Sequence, residues 1–101
     1  MSDDFLSEII GERSLSNPAF PLLVQAAVDR RELLHALAKK REESGLTQTQ
    51  VAAAMGTSQS QVARLESGNV DTKLSTVEKL AAVLGARLEW RIVDTPQANA
   101  S

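Results

Sequence analysis

The sequence has no cysteine, and that one absence removes disulfides, thiolate zinc sites and a cysteine nucleophile together. The fold must be held by packing alone. No apolar run approaches the ~18 residues of a membrane span, and the opening residues Met1-Ser2-Asp3-Asp4 are acidic where a secretory leader is basic. A cytoplasmic protein with no membrane partner is expected. Histidine is nearly absent too: His35 stands alone, with no acids at metal-ligand spacing, so it is assigned a packing or surface role and no metal site is expected. No hydrolase triad can be assembled. The paired carboxylates Asp3-Asp4 and Glu42-Glu43 point in different directions on a helix, which makes them solvated charge rather than an acid and base pair. The chain reads as a non-enzyme without cofactors.

Basic charge is also scarce. The formal net charge is −2, whereas phosphate binding relies on Lys and Arg. The distribution softens the objection, because residues 1–32 carry six acids against three bases and residues 33–85 carry six bases against five acids. A nucleic-acid partner would be held through helix N-termini, polar contacts and dimerisation, with modest non-specific affinity.

What is present fits one domain. A chain of 101 residues has room for a single core of about five elements, and its 43% hydrophobic content suffices to build one. Phe5, Leu6, Ile9 and Ile10 share one face of a short amphipathic helix over residues 3–12. Ser14 to Pro18 has linker composition, with Asn17 a candidate cap and Pro18 suited to a first turn. Residues 19–44 are helix-compatible as one helix or two, with Asp29-Arg30-Arg31-Glu32 the candidate joint. The basic run Lys39-Lys40-Arg41 followed by Gly45 marks a helix end. Three hydroxyl caps with a Gln or Glu three residues on then announce helices: Thr47 with Gln50, Ser58 with Gln61, and Ser75 with Glu78. Gly56, Gly68 and Gly85 close them. The expected helices cover about 30–44, 48–55, 59–67 and 76–84.

The pattern then changes period. Leu88, Trp90 and Ile92 alternate with Arg87, Glu89 and Arg91, as in a strand with one buried face. A lone strand leaves its backbone groups unpaired, so its partner is expected to be the same strand of a second copy across a two-fold axis. Leu88, Trp90 and Ile92 become the dimer-interface candidates. The expected organisation is an N-terminal helical extension (1–29), a helix-turn-helix unit (30–85), a dimerisation strand (86–94) and a tail (95–101).

Helices 48–55 and 59–67 are joined by Gly56-Thr57-Ser58, a turn that sets two helices at a steep angle. In the second helix Val62 and Leu65 point to the core, while Ser60, Ala63 and Arg64 point away with Gln59 and Gln61 beside them. That outward face suits a DNA groove. Gln can pair with adenine N6 and N7 and Arg with guanine O6 and N7, each worth about 1–3 kcal/mol of discrimination. Gln48 opens the preceding helix, where free N–H groups favour a phosphate oxygen, and its amide is placed to brace Gln59.

The stretch from Leu46 to Gly68 resembles the Cro/CI-type, or XRE, helix-turn-helix family. The resemblance extends from about Leu37 to Leu84, with Ala52, Gly56, Val62, Glu66 and Gly68 at the small, turn and core positions. It implies an all-α, lambda-repressor-like domain that binds palindromic double-stranded operator DNA as a homodimer. By motif position it assigns base reading to Gln59, Ser60 and Arg64, and phosphate and bracing contacts to Gln48. Thr47, Thr57, Ser58 and Gln61 complete the candidate DNA-binding set with Asn69 and Lys73, which lie in a loop that grips the backbone in that family. The added extension and strand resemble antitoxins of type II toxin–antitoxin pairs, of the HigA and HipB kinds. A HigA-like chain implies a RelE/HigB-like ribonuclease toxin as partner and an autoregulated operon. A stand-alone XRE-type regulator, and an interaction adaptor that does not touch DNA, stay open at this point.

Overall fold

Among residues 19–95, the part of the chain that the computed structural model describes, the ordered elements are all helices. α1 spans Phe20–Glu43, α2 Gln48–Met55, α3 Gln59–Ser67 and α4 Leu74–Val83. The helix expected over residues 3–12, the linker before it joins α1 and the tail beyond Thr95 lie outside the described residues.

α1 runs unbroken through Asp29–Glu32, so the candidate joint is one continuous helix. Pro21 sits in its first turn, where a missing N–H removes no intrahelical bond. The buried positions Ala27, Leu34, Leu37 and Arg41 recur at helical spacing and form the stripe that faces the other helices. At the other end Lys40 and Arg41 occupy the last turn, and the Ser44 hydroxyl donates to the Lys40 carbonyl at 2.8 Å. The chain then leaves through Gly45.

The next two helices start as their caps require. The Thr47 hydroxyl accepts from the Gln50 backbone N–H at 3.0 Å, and the Gln50 carboxamide oxygen accepts from the Thr47 N–H at 2.8 Å, a complete reciprocal box. At α3 only half of the arrangement forms: the Ser58 hydroxyl accepts from the Gln61 N–H at 3.2 Å. The third expected cap is a correction. α4 begins at Leu74 after Lys73, with no side-chain cap, so Ser75 already lies in the first turn. Glu78 is committed elsewhere, accepting from the Trp90 indole N–H at 3.1 Å.

The largest fully buried side chains come one from each helix: Leu34, Val51, Val62 and Leu80. α3 packs against α1 and α2, and α4 closes the core against α1 and α2. A helix as short as α2 or α3 is marginal in water alone, so this shared burial is what holds both.

The strand expected over residues 87–93 is absent from the single described chain: residues 86–95 follow α4 with neither helix nor strand. A strand exists through its ladder, and the described residues offer 87–93 no partner edge. Leu88 is half-buried against the core of its own chain. Trp90 and Ile92, by contrast, are 56% and 96% exposed.

Candidate nucleic-acid interface

α3 presents two faces because of its sequence spacing. Val62, Leu65 and Glu66 are buried, while Gln59, Ser60, Gln61, Arg64 and Ser67 are exposed. Ala63, expected to point outward, is half-buried at the boundary. Gly68 stops the helix in the left-handed region at φ +73°. The position has no space for a side chain either, since a Cβ there would come within 2.8 Å of Arg31 Cγ and 3.1 Å of the Arg31 backbone. α3 therefore ends pressed against α1. The His35 ring Nε2 lies 2.9 Å from the Ser67 carbonyl and ties the same end from α1.

A line of hydrogen bonds fixes the opposite end. Gln59 Nε2 donates to Gln48 Oε1 at 2.6 Å, and Gln48 Nε2 donates to Glu66 Oε1 at 2.8 Å. Glu66 is gripped by Arg41, whose Nε donates to Oε2 and whose Nη2 donates to Oε1 at 3.0 Å. Arg41 Nη1 in turn donates to the Leu46 carbonyl at 2.8 Å, in the turn before α2. Burial by itself would push the Glu66 carboxyl up, but the hydrogen bonds from Arg41 and Gln48 and the Arg41 charge outweigh it and hold it below the ordinary carboxylate range. The hydrogen bond to Glu66 likewise raises the Arg41 guanidinium above its ordinary value.

Most of the candidate residues line three clefts around α2, α3 and the loop before α4. Thr47, Gln48 and Gln59 share a shallow cleft with Arg41 and Leu46. Thr57, Gln61 and Lys73 line a second cleft, which also takes in Lys79 of α4. Arg64 lies between Gln61 and the loop residues Val70–Thr72, with the acidic Asp71 beside it. Ser58 and Ser60 hydroxyls are 3.1 Å apart at the tip of α3. Asn69 is half-buried, and its Oδ1 is enclosed without a hydrogen-bond partner, so its side chain faces the protein as much as the loop surface. Gln59 uses one N–H on Gln48 and keeps an N–H and its carbonyl oxygen, the pair that a bidentate contact to adenine needs.

The Arg41–Glu66 pair was not anticipated as a site feature, although a signal for it exists. Arg41 continues the buried 34, 37, 41 stripe of α1, and Glu66 sits on the buried 62, 65, 66 stripe of α3. A charge on the core stripe of each of two packed helices requires a partner of opposite sign.

A family described as "Helix-turn-helix" matches residues 37–91, more than half of the 101 residues. The chain belongs to the helix-turn-helix family. Both α2 and α3 lie within the matched residues, and the Gln59–Gln48 bond joins them. The chain is also similar to named antitoxins. Antitoxin HigA1 from two strains of Mycobacterium tuberculosis, CDC 1551 / Oshkosh and ATCC 25618 / H37Rv, is 36% identical over 85 residues, which cover 84% of this chain and 57% of each relative. Putative antitoxin HigA3 from strain ATCC 25618 / H37Rv is 44% identical over 73 residues, covering 65% of this chain and 67% of the relative. The helix-turn-helix chain is thus HigA-like and XRE-type, and it spans little more than half the length of the HigA1 relatives. No solved structure matches it. Among the described residues no helix is long and apolar enough to cross a membrane.

Proposed function

We propose that the chain is a sequence-specific DNA-binding repressor that acts as an antitoxin, binding a cognate RelE/HigB-like toxin and repressing its own operon. The observation that carries the DNA-binding part is the Gln59–Gln48–Glu66–Arg41 line, which fixes the amide at the tip of α3 before any DNA arrives. Preorganisation of that kind removes part of the ordering cost of binding. With Gln59 stand Ser60 and Arg64 for base edges, Gln61 on their flank, and Thr47, Gln48, Thr57, Ser58, Asn69 and Lys73 for the sugar–phosphate backbone. The antitoxin part is supported by the similarity to proteins named antitoxins. It is a cytoplasmic, non-enzymatic role.

The protein works as a homodimer on a palindromic operator. Antiparallel pairing of two copies of residues 87–93 about Trp90 would set Glu89 opposite Arg91 of the second copy, an opposite-charge pair at each end of the two-fold. The two α3 helices would then enter successive major grooves about 34 Å apart. In this organisation residues 30–85 form the DNA-binding unit, 86–94 the dimerisation strand, 95–101 a tail, and 1–29 an acidic extension that offers the toxin an apolar face.

The test is a footprint of the promoter upstream of the chain's own reading frame, together with co-expression of the adjacent reading frame. A protected palindrome and a co-purifying toxic neighbour are expected. No footprint at any salt concentration ends the DNA-binding reading, and a harmless neighbour that never co-purifies ends the antitoxin reading.

A further inference from the structure

An apolar groove of about 260 Å³ opens between α1, α4 and the chain that follows α4. Leu33, Val77, Leu74 and Trp90 line it, with Asp29 and Arg30 at its rim. Its walls are not closed by the described residues: Leu74 is 63% exposed and Trp90 56% exposed. The two rim charges differ. Asp29 already accepts from the Gln25 amide at 2.8 Å, whereas Arg30 makes no ion pair among the described residues and its Nε is enclosed without an acceptor.

The occupant this groove calls for is an apolar segment flanked by carboxylates. Residues 3–12 have that composition: Phe5, Leu6, Ile9 and Ile10 fall on one helical face, and Asp4, Glu8 and Glu12 fall to its side. We propose that the groove between Leu33, Leu74, Val77 and Trp90 is the docking site of residues 3–12 of the same chain, with its acidic side toward Arg30.

Reach permits it. Residues 13–19 span up to about 23 Å when extended. The groove begins about 14 Å along α1 from Phe20, at Asp29, and ends about 20 Å along it, at Leu33. Folding back is therefore within the length of the connector. The tether also favours this occupant over a second copy. A short flexible linker gives an effective concentration on the order of mM, far above the µM level of separate chains. Charge agrees, because the C-terminal strand of a second copy, with Arg87 and Arg91 balanced by Glu89 and Asp94, brings no net charge toward Arg30, where residues 3–12 bring only acids. The inference stands apart from DNA binding, since the groove is built from residues outside the α3 tip. Its consequence is that the apolar face of residues 3–12 is covered at rest, and a protein partner that uses that face must first displace it from the groove.

The absence of cysteine makes the test direct. A nitroxide attached through Ser7→Cys, which lies off the apolar face, is placed in the full chain, and the NMR signals of the Trp90 indole N–H and the Leu74 methyls are followed. Broadening that persists on dilution, and that is lost when Ile9→Asp is added, is the expected result. Unbroadened signals overturn the proposal. With Ile92→Asp added to both chains, so that the proposed pairing about Trp90 is removed, broadening that appears on an isotope-labelled chain mixed with a spin-labelled unlabelled one places the segment on a second copy and also overturns it. Because the described core is built from Leu34 onward, an unchanged helical circular-dichroism spectrum separates loss of docking from loss of folding.

Discussion

Gln48 and Glu66, at the start of α2 and near the end of α3, are joined by a 2.8 Å hydrogen bond from the Gln48 amide to the Glu66 carboxylate. The other end of the same Gln48 amide, its carbonyl oxygen, receives Gln59. One carboxamide thus connects a buried ion pair to the exposed tip of α3, the helix proposed to meet DNA. Stability and recognition share a side chain here, and mutations can separate them.

Gln48→Ala removes both contacts of that amide while leaving the Arg41–Glu66 pair in place. A neutral hydrogen bond contributes about 1 kcal/mol net, so operator affinity should fall roughly fivefold as Gln59 loses its brace. Adding Gln59→Ala to this variant should cost less affinity than Gln59→Ala alone, the coupling expected of residues in one network. Strictly additive losses in the double-mutant cycle would mean that the brace does not transmit to DNA.

The pH behaviour follows from Glu66. Its carboxyl is held below the ordinary range in the fold, so its contribution to stability is complete above the unfolded pKa of about 4.3 and is lost as pH falls through the lower folded value. Urea titrations should show the wild-type midpoint falling below pH ~4, with a flatter acid limb in Glu66→Gln. Arg41→Met, which leaves the carboxylate buried and unpaired, should cost about 3–5 kcal/mol at pH 7. An acid limb of unchanged steepness in Glu66→Gln would remove Glu66 from this account.

Arg64 is exposed on α3 with no partner side chain among the described hydrogen bonds and ion pairs. Arg64→Ala should therefore leave thermal stability within about 0.5 kcal/mol and weaken specific operator binding by about 1–3 kcal/mol. Equal affinity of variant and wild type for the operator would instead favour an adaptor that does not read bases.

How much of this was legible follows from where the information sits. Local rules were enough for α2 and α3, because Thr47, Ser58, Gly56 and Gly68 each fix a backbone conformation within four residues of themselves. The Ser75–Glu78 cap fails because α4 starts at Leu74 and takes Ser75 into its first turn, while Glu78 accepts from the Trp90 indole twelve residues away, a contact no local rule sees. The outward set on α3 follows from helical period alone, whereas neither Arg41 nor Glu66 reveals its partner within its own segment. The pair exists only once α1 and α3 are packed. The strand was argued from alternation, but Leu88 turned inward to the core of its own chain, where burial was already on offer.

Gly68 ties these levels together, and two glycine variants separate backbone strain from crowding. Gly56→Ala and Gly68→Ala both force a side chain into the left-handed region, at a cost of about 1 kcal/mol each. Gly56 faces open space, whereas a Cβ at Gly68 meets Arg31 at 2.8 Å. Gly68→Ala should thus cost about 2 kcal/mol or more, lowering the melting temperature by roughly 8 °C or more, with Gly56→Ala near half of that. Equal losses at the two positions would show that α3 does not press on α1 at its end.

Ile92 offers the cleanest probe of assembly, because it is 96% exposed and contributes nothing to the core of its own chain. Leu88→Asp would set a charge against the core of its own chain, and Trp90→Asp would place a second negative charge beside Glu78 and break an intramolecular bond. Ile92→Asp does neither. If residues 87–93 pair across a two-fold, an aspartate there puts an unpaired charge into the dimer contact, and sedimentation should show monomers whose urea midpoint, measured at a concentration where the wild type is also monomeric, is unchanged. Operator affinity should fall with the loss of the second half-site, far more than for any single base contact, since a monomer engages one groove instead of two. A variant that still sediments as a dimer and still protects both half-sites would move the interface away from residues 87–93 and onto the helices.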